Sequence, residues 1–411
     1  MDYLDLNLDL DADQIALKRS VRQFAREVLR PAARELDRLT AEEVLKSELY
    51  WDTLRQAKRL GYHTAYIPEN HGGLGLPPLE LQIFLEELGW GSAGFAVALG
   101  VDTMPATVAV LMDDPMLNEA VIAAYVNDKE ADFVGCWAIT EPDQGSDWVS
   151  LIADAEEQPY MQADVTAVPD GGDWVINGTK AAWISNGPSA THALLFVQFN
   201  PGGGDEFKGG IAVCPLNLSG VSRGKPLEKL GQRELLQGEI YFDQVRLPGE
   251  YMVIDEELFP TMGETVLAYA NAGMAAMFTG VARAAFEEAL VHTRQRRQGG
   301  KLLCEYDNVK GKLFEMFTSI EAARSLSRAA LGYNMQTMPP ATRYSIAAKV
   351  FCTETAFRVT HEAINLFGGA GLSREYYVEK LFRDAKAALI EDGSNDLLGP
   401  AAMNAVLREY R

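Results

Sequence analysis

The hydrophobic period of this chain changes twice, and that double change restricts the fold more than any other property. From Asp11 to about residue 130, apolar side chains recur at helical spacing. Ile15, Leu17, Val21, Phe24 and Val28 follow the cap-like run Asp11-Ala12-Asp13-Gln14. Residues 79–88 and 95–112 continue the pattern, the second so uniformly apolar that one buried helix is expected there. His71-Gly72-Gly73-Leu74-Gly75 reads as a loop. From about 134 to 250, short β-rich runs such as 192–199 and 210–216 alternate with turn residues. Asn177-Gly178 between two such runs predicts a hairpin, and Pro201-Gly202-Gly203-Gly204 a loop. Beyond Pro260 the helical period returns over 310–333 and 341–367, broken by Met338-Pro339-Pro340. The expected domains are therefore 1–133 (α-helical), 134–255 (antiparallel β) and 256–411 (α-helical), an α+β multidomain chain.

Charge and cysteine usage narrow the function. A net charge of −21 over 411 residues opposes nonspecific affinity for nucleic acid or an anionic membrane. Any phosphorylated ligand must be held by local donors, for which Arg294-Gln295-Arg296-Arg297 with Lys301 is the densest cluster. No apolar run is expected to span a bilayer. The start, Met1-Asp2-Tyr3-Leu4-Asp5, lacks the basic and apolar regions of a secretion signal. Cys136, Cys214, Cys304 and Cys352 show no paired spacing, and the five histidines show no metal-ligand spacing. A reducing, cytoplasmic setting without a metal is expected.

Four motifs follow one another in order. Trp137-Ala138-Ile139-Thr140-Glu141-Pro142 leads to Gly145-Ser146-Asp147, and Asn177-Gly178-Thr179-Lys180 leads to Trp183-Ile184-Ser185-Asn186-Gly187. Lys229-Leu230-Gly231-Gln232-Arg233 comes third. Gly368-Gly369-Ala370-Gly371 then precedes Arg383-Asp384-Ala385 and Glu391-Asp392-Gly393-Ser394-Asn395-Asp396. Together they resemble the acyl-CoA dehydrogenase family over nearly the whole chain.

The resemblance implies an N-terminal helical domain, a middle antiparallel β-barrel and a C-terminal four-helix bundle, with FAD between the last two and assembly as a homotetramer. It implies oxidation of an acyl-CoA thioester: a carboxylate removes the α-proton, and the β-hydrogen passes as hydride to the flavin. An electron-transfer flavoprotein or similar acceptor would take the electrons. Ile139, Thr140, Trp183 and Ser185 would line the flavin, and Ser146 and Gly393 would lie near the acyl-CoA. Arg296, Gln298, Asp307, Asn365, Gly368, Gly369, Ser394 and Asp396 would serve the dinucleotide, Arg296 by reaching phosphates across a dimer. The usual Phe of the family's arginine motif is replaced here by Gly299. Asp307 and Asn365 stand where glutamines are usual.

By the same resemblance, Asp392 occupies the usual position of a catalytic glutamate. Aspartate is one methylene shorter, so its carboxylate is set back by ~1.5 Å. Glu391 is the alternative base, expected to point to the other side of the turn. The stretch Tyr269-Ala270-Asn271-Ala272, where some relatives carry the base, holds no carboxylate. Asp102, the only charge within 95–111, has two readings: a helix-boundary residue, or a second acid suited to alicyclic acyl groups such as cyclohexane or cyclohexene thioesters. Competing functions are a nitroalkane-oxidase-like enzyme, an acyl-CoA oxidase, and an inactive flavin- or CoA-binding relative.

Overall fold

The computed structural model describes residues 10–153, 162–199 and 207–410. The acidic start of the chain and the expected loop Pro201-Gly202-Gly203-Gly204 lie outside them. The principal helices are α1 (Ala12–Phe24), α2 (Glu48–Arg59), α3 (Pro78–Gly91), α4 (Ala93–Asp102), α5 (Met104–Met112), α6 (Ser146–Ala153), α7 (Phe259–Gln295), α8 (Asp307–Asn334), α9 (Thr342–Phe367), α10 (Val378–Ala387) and α11 (Asn395–Glu409). Helix α1 begins as its sequence specifies: Asp11 accepts from the Gln14 N–H at 2.8 Å and Gln14 returns the bond, a capping box. The apolar stretch 95–112 is two helices rather than one. The α4 helix ends at Asp102, and α5 restarts at Met104 with Pro105 in its first turn.

Strands β1 (Gly135–Ala138), β2 (Thr166–Asp170), β3 (Asp173–Ser185), β4 (His192–Gln198), β5 (Gly209–Pro215), β6 (Val221–Arg223), β7 (Gln237–Leu247) and β8 (Met252–Ile254) form one sheet. Its order is β6-β7-β3-β2-β4-β5-β8, with β1 on β4. The expected antiparallel barrel is corrected in two respects. The sheet is mixed, because β1 pairs parallel to β4, a geometry allowed by the long route through α6 and the β2–β3 hairpin. It is also open among the described residues, since β6 and β8 end the order without pairing to each other.

The expected hairpin at Asn177-Gly178 is also absent. β3 runs straight through it, and the turn is at Gly171-Gly172, where the β2–β3 register closes on Asp170 opposite Asp173. Asn177-Gly178 is instead a bulge facing β7. Gly178 has φ +121°, and a Cβ there would lie 2.4 Å from the Asp164 carbonyl, so only glycine fits.

Period-two alternation divides the sheet's side chains between two cores. Cys136, Ala138, Ala193, Leu195 and Val197 enclose one face. Trp137, Ile139, Leu194 and Phe196 join the larger core shared with the N- and C-terminal helices. In that core α7 packs against α3, α8 and α9. By length and composition α7 and the span 93–112 could cross a membrane, contrary to the expectation of no such run. Here 94 % of the apolar window in α7 is covered by protein.

Candidate active site

Two cavities meet where the sheet, α7 and the α10–α11 connection come together. A cleft of about 420 Å³ is lined by Ile139, Thr140, Ser146, Trp183, Ser185, Lys229, Glu391, Asp392 and Gly393, among others. A smaller apolar pocket of about 60 Å³ opens between α4–α5 and α7, lined by Val97, Met104, Val108, Val266, Met274 and Asp392 among others. Asp392 is the charged side chain that lines both.

The cleft wall is fixed by contacts between motifs distant in sequence. Lys180, fully buried on β3, donates from Nζ to the Ile139 carbonyl at 3.0 Å and to Glu141 at 2.6 Å. Glu141 in turn accepts from the Asp164 and Val165 N–H groups, and the Ala181 N–H donates to the Thr140 carbonyl at 2.9 Å. Such a paired, fully bonded buried charge fixes backbone position. Ile139 and Thr140 are thus held beside Ser185, whose hydroxyl accepts from Gln237 at 3.0 Å. Trp183 stands out into the cleft, 57 % exposed.

The floor is the turn 391–394. Asp392 takes the left-handed conformation, φ 51°, uncommon outside glycine and concentrated at functional sites. Lys349 from α9 donates to the Gly393 carbonyl and to Asn395 Oδ1, both at 2.7 Å. Asn271 from α7 donates to the Asp392 carbonyl at 3.5 Å, and Ser394 donates its N–H to Ser146 Oγ at 2.9 Å. The two carboxyls differ in their bonding. Glu391 Oε2 accepts from Gln232 Nε2 at 2.8 Å, whereas the Asp392 carboxylate has no hydrogen-bond donor among the described residues.

Desolvation dominates the electrostatics of this floor. Although both side chains keep some exposure to the cleft, burial pushes the Asp392 carboxyl up to about 6, with Lys349 opposing. Burial pushes Glu391 up to about 7 against the pull of Lys229 and its bond from Gln232. Lys349 and Lys229 are each lowered to about 8 by burial, despite the carboxylates beside them.

Apart from Ser394, which is half-buried and bonded to Ser146 without lining the cleft, and Asp102, the expected site residues divide into two groups. Ile139, Thr140, Ser146, Trp183, Ser185, Glu391, Asp392 and Gly393 line one cleft; Glu391 does not point away from it, as the turn had suggested. Arg296, Gln298, Asp307, Asn365, Gly368, Gly369 and Asp396 are exposed and do not line it. All but Asp396 gather at the far end of the bundle, where His292 stacks on Phe367 at 4.0 Å and Lys312 pairs with Glu362. Arg296 follows Asn271 by 25 positions at the end of α7, ~37 Å along the helix. Asp307 is paired with Lys310 at 3.0 Å. Asp102 does not line either cavity. Its Oδ1 accepts from the Gly135 N–H at 2.8 Å, and its Oδ2 accepts from Lys58 and Tyr125 at 3.0 Å each. The second-acid reading is therefore corrected: these bonds occupy both carboxylate oxygens of Asp102.

Residues to which the sequence assigns no role include Gln232, present there only as a member of its motif, and Gln237 and Lys349, which belong to none. A lysine inside the small, apolar run Ile346-Ala347-Ala348-Lys349-Val350 is the one local signal that was there to be read.

The cleft fits a flavin. It combines an outstanding indole, a flat apolar wall and hydroxyl and amide groups at its edge, and it adjoins an apolar pocket reached past an elevated carboxyl. These features define a flavin-dependent oxidoreductase acting on a ligand with an apolar end. The family models agree: the acyl-CoA dehydrogenase N-terminal domain matches residues 11–113, the middle domain 136–245 and the C-terminal domain 259–406. Cyclohexane-1-carbonyl-CoA dehydrogenase of Geobacter metallireducens is 30% identical, over 95% of this chain and 96% of its own. The mitochondrial short-chain specific acyl-CoA dehydrogenase of Rattus norvegicus is 28% identical, over 98% of this chain and 92% of its own. The solved structure of butyryl-CoA dehydrogenase from Megasphaera elsdenii superposes with a TM-score of 0.85 at 27% identity, covering 99% of this chain and 100% of that one. The chain belongs to the acyl-CoA dehydrogenase family, enzymes that use FAD to oxidise acyl-CoA thioesters.

Proposed function

We propose that Asp392 is the base that removes the α-proton of an acyl-CoA whose acyl group occupies the apolar pocket and whose thioester lies at the junction of pocket and cleft. The observation that carries this is the place of Asp392 on the lining of both cavities, with a carboxylate that no donor among the described residues engages. Burial lifts its proton affinity towards that of a base working near neutral pH. Glu391 suits the role less, because Gln232 holds its carboxylate. The Asp392 N–H has no protein acceptor among the described residues, which supports it as the donor to the thioester oxygen as charge develops there. Trp183, Ile139 and the Thr140 and Ser185 hydroxyls would hold the isoalloxazine. FAD, when bound, supplies the acceptor for the β-hydride.

The short reach of aspartate, the compact pocket and the resemblance to the cyclohexane-1-carbonyl-CoA enzyme favour an alicyclic acyl group over a long chain. The exposed group around Arg296 is too far from Asp392 to serve the same cleft. It would instead meet the dinucleotide of a second copy, within a homotetramer that passes electrons to an electron-transfer flavoprotein. The test is anaerobic bleaching of the flavin by cyclohexane-1-carbonyl-CoA in the wild type, Asp392→Asn and Glu391→Gln. Loss confined to Asp392→Asn is the expected result. Full activity in that variant, or peroxide as the main product in air, would overturn the assignment.

A further inference from the structure

We propose that the acyl pocket is built for an acyl group bearing an oxygen function remote from the thioester, a hydroxyl or carbonyl, and that Tyr66 and Tyr269 select it. The inference rests on reading this pocket as the acyl site.

The two phenols reach the pocket from different parts of the chain. Tyr66 lies in the turn region after α2, and Tyr269 on α7. Both line the same stretch of the pocket. A Cβ built on Gly273 would lie 3.1 Å from the Tyr66 hydroxyl, and Gly273 is one turn beyond Tyr269 on the same face of α7. Glycine at 273 therefore makes room for a hydroxyl that any larger residue would crowd.

Around them the lining is hydrocarbon: Val97, Val101, Met104, Val108, Val266 and Met274 contribute most of it. The tyrosines buried elsewhere among the described residues all bond through their hydroxyls, Tyr50 to Ser189 among them. Tyr62 bonds Ser20 at 2.9 Å, Tyr125 donates to the His63 carbonyl at 2.9 Å, and Tyr377 to the Gly91 carbonyl at 3.2 Å. The pocket's Thr103 and Thr107 hydroxyls bond each other at 3.2 Å. Tyr66 and Tyr269 alone among these pocket hydroxyls have no hydrogen-bond partner among the described residues, and both are half-buried.

A phenol can donate and accept, so the pair can hold either a hydroxyl or a carbonyl. A plain hydrocarbon acyl group would cover both hydroxyls without bonding them, an arrangement that discriminates against such a ligand. A few placed polar groups in an apolar pocket are the usual means of fixing orientation. Here they would turn the acyl group so that its α-carbon faces Asp392 on the same lining.

The test compares cyclohexane-1-carbonyl-CoA with its ring-hydroxylated and ring-oxo counterparts on the anaerobic FAD-loaded enzyme. Affinity is read by calorimetry and flavin bleaching is recorded in parallel. At least one oxygenated thioester is expected to bind about tenfold tighter than the plain one. Tyr66→Phe and Tyr269→Phe, which keep the ring and its packing, should each remove most of that difference, by weakening the oxygenated thioester and relieving the plain one of covering an unbonded hydroxyl. Equal or tighter binding of the plain thioester, or an unchanged ratio in both variants, would overturn the proposal. Oxygen-dependent affinity without bleaching upholds the phenols and counts against Asp392 as base. Bleaching by every thioester with no oxygen preference does the reverse.

Discussion

The ammonium of Lys349 is tied to the carbonyl of Gly393, the residue directly after Asp392, across 2.7 Å. Its second bond, to Asn395 Oδ1 at 2.7 Å, reaches the start of α11, and Asn395 is held in turn by donating to Thr353 Oγ1 at 3.0 Å. A fully buried cation on α9 therefore fixes the turn carrying the proposed base and also favours that base's ionised form.

Lys349→Met should consequently do two things. The freed turn loses its aim, and a misplacement of about 1 Å costs on the order of a hundredfold in rate. Loss of the cation also raises the Asp392 pKa further, moving the acid limb of the rate profile to higher pH. Rapid-reaction measurement of flavin reduction across pH checks both. Asn395→Ala, which keeps the cation and removes half of the clamp, should lower the rate without moving the limb.

The pH dependence has opposite signs for rate and stability. Asp392 at about 6 and Glu391 at about 7 both lie above the ordinary carboxyl range of roughly 4. Between those values the folded chain holds more protons than the unfolded one. The stability from these two groups is thus complete below about pH 4 and is lost as pH rises through 6 to 7. Proton removal needs the ionised base, so flavin reduction should rise through about pH 6. A pH series of Tm on wild type and the Asp392→Asn/Glu391→Gln double variant should show the wild type losing its relative advantage between about pH 4 and 7.

How far these features could be read from sequence depended on the range of the forces involved. Local rules carried the helix–sheet–helix order and the Asp11–Gln14 cap, because periodicity and capping are settled within a few residues. Fixed motifs carried Trp183, Ser185 and Asp392 to one cleft. Asn177-Gly178 misled because its turn chemistry is the same in a hairpin and in a bulge, and the β7 partner 67 positions away decides between them. Lys349, Gln232 and the Tyr66–Gly273 approach depend on contacts over 44, 159 and about 200 positions, which no short window contains. Asp102 misled for the same reason, its partner Lys58 lying 44 positions away.

Trp183 offers a separation of cofactor binding from folding. Its indole is 57 % exposed in the cleft and contributes little to the core. Trp183→Ala should leave the thermal unfolding of the FAD-free protein within about 2 °C, as surface substitutions usually do. FAD affinity should fall about tenfold as the stacking wall is lost. Fluorescence titration of the FAD-free protein with FAD measures the second, and an unchanged dissociation constant would show that the ring lies elsewhere.

Asp102 calls for the opposite pattern. Its carboxylate receives the Gly135 N–H, Lys58 and Tyr125, and Lys58 also bonds the Phe133 carbonyl at 2.8 Å and pairs with Asp128 at 3.1 Å. These bonds join α2, the end of α4 and the edge of β1, so they hold the N-terminal helices to the sheet beside the acyl pocket. Asp102→Asn keeps the shape but leaves part of the Lys58 charge without compensation in a dry site, a change that costs about 3–5 kcal/mol when a buried pair is broken. Asp128 still faces the same ammonium, which places the expected loss at the lower end of that range. Denaturant unfolding should show a lower midpoint with an unchanged slope. Activity per folded molecule should stay within about threefold of wild type on linear and cyclic thioesters alike, because neither Asp102 oxygen reaches the pocket. A selective loss on cyclic substrates, with stability intact, would instead restore Asp102 as an acid in the chemistry.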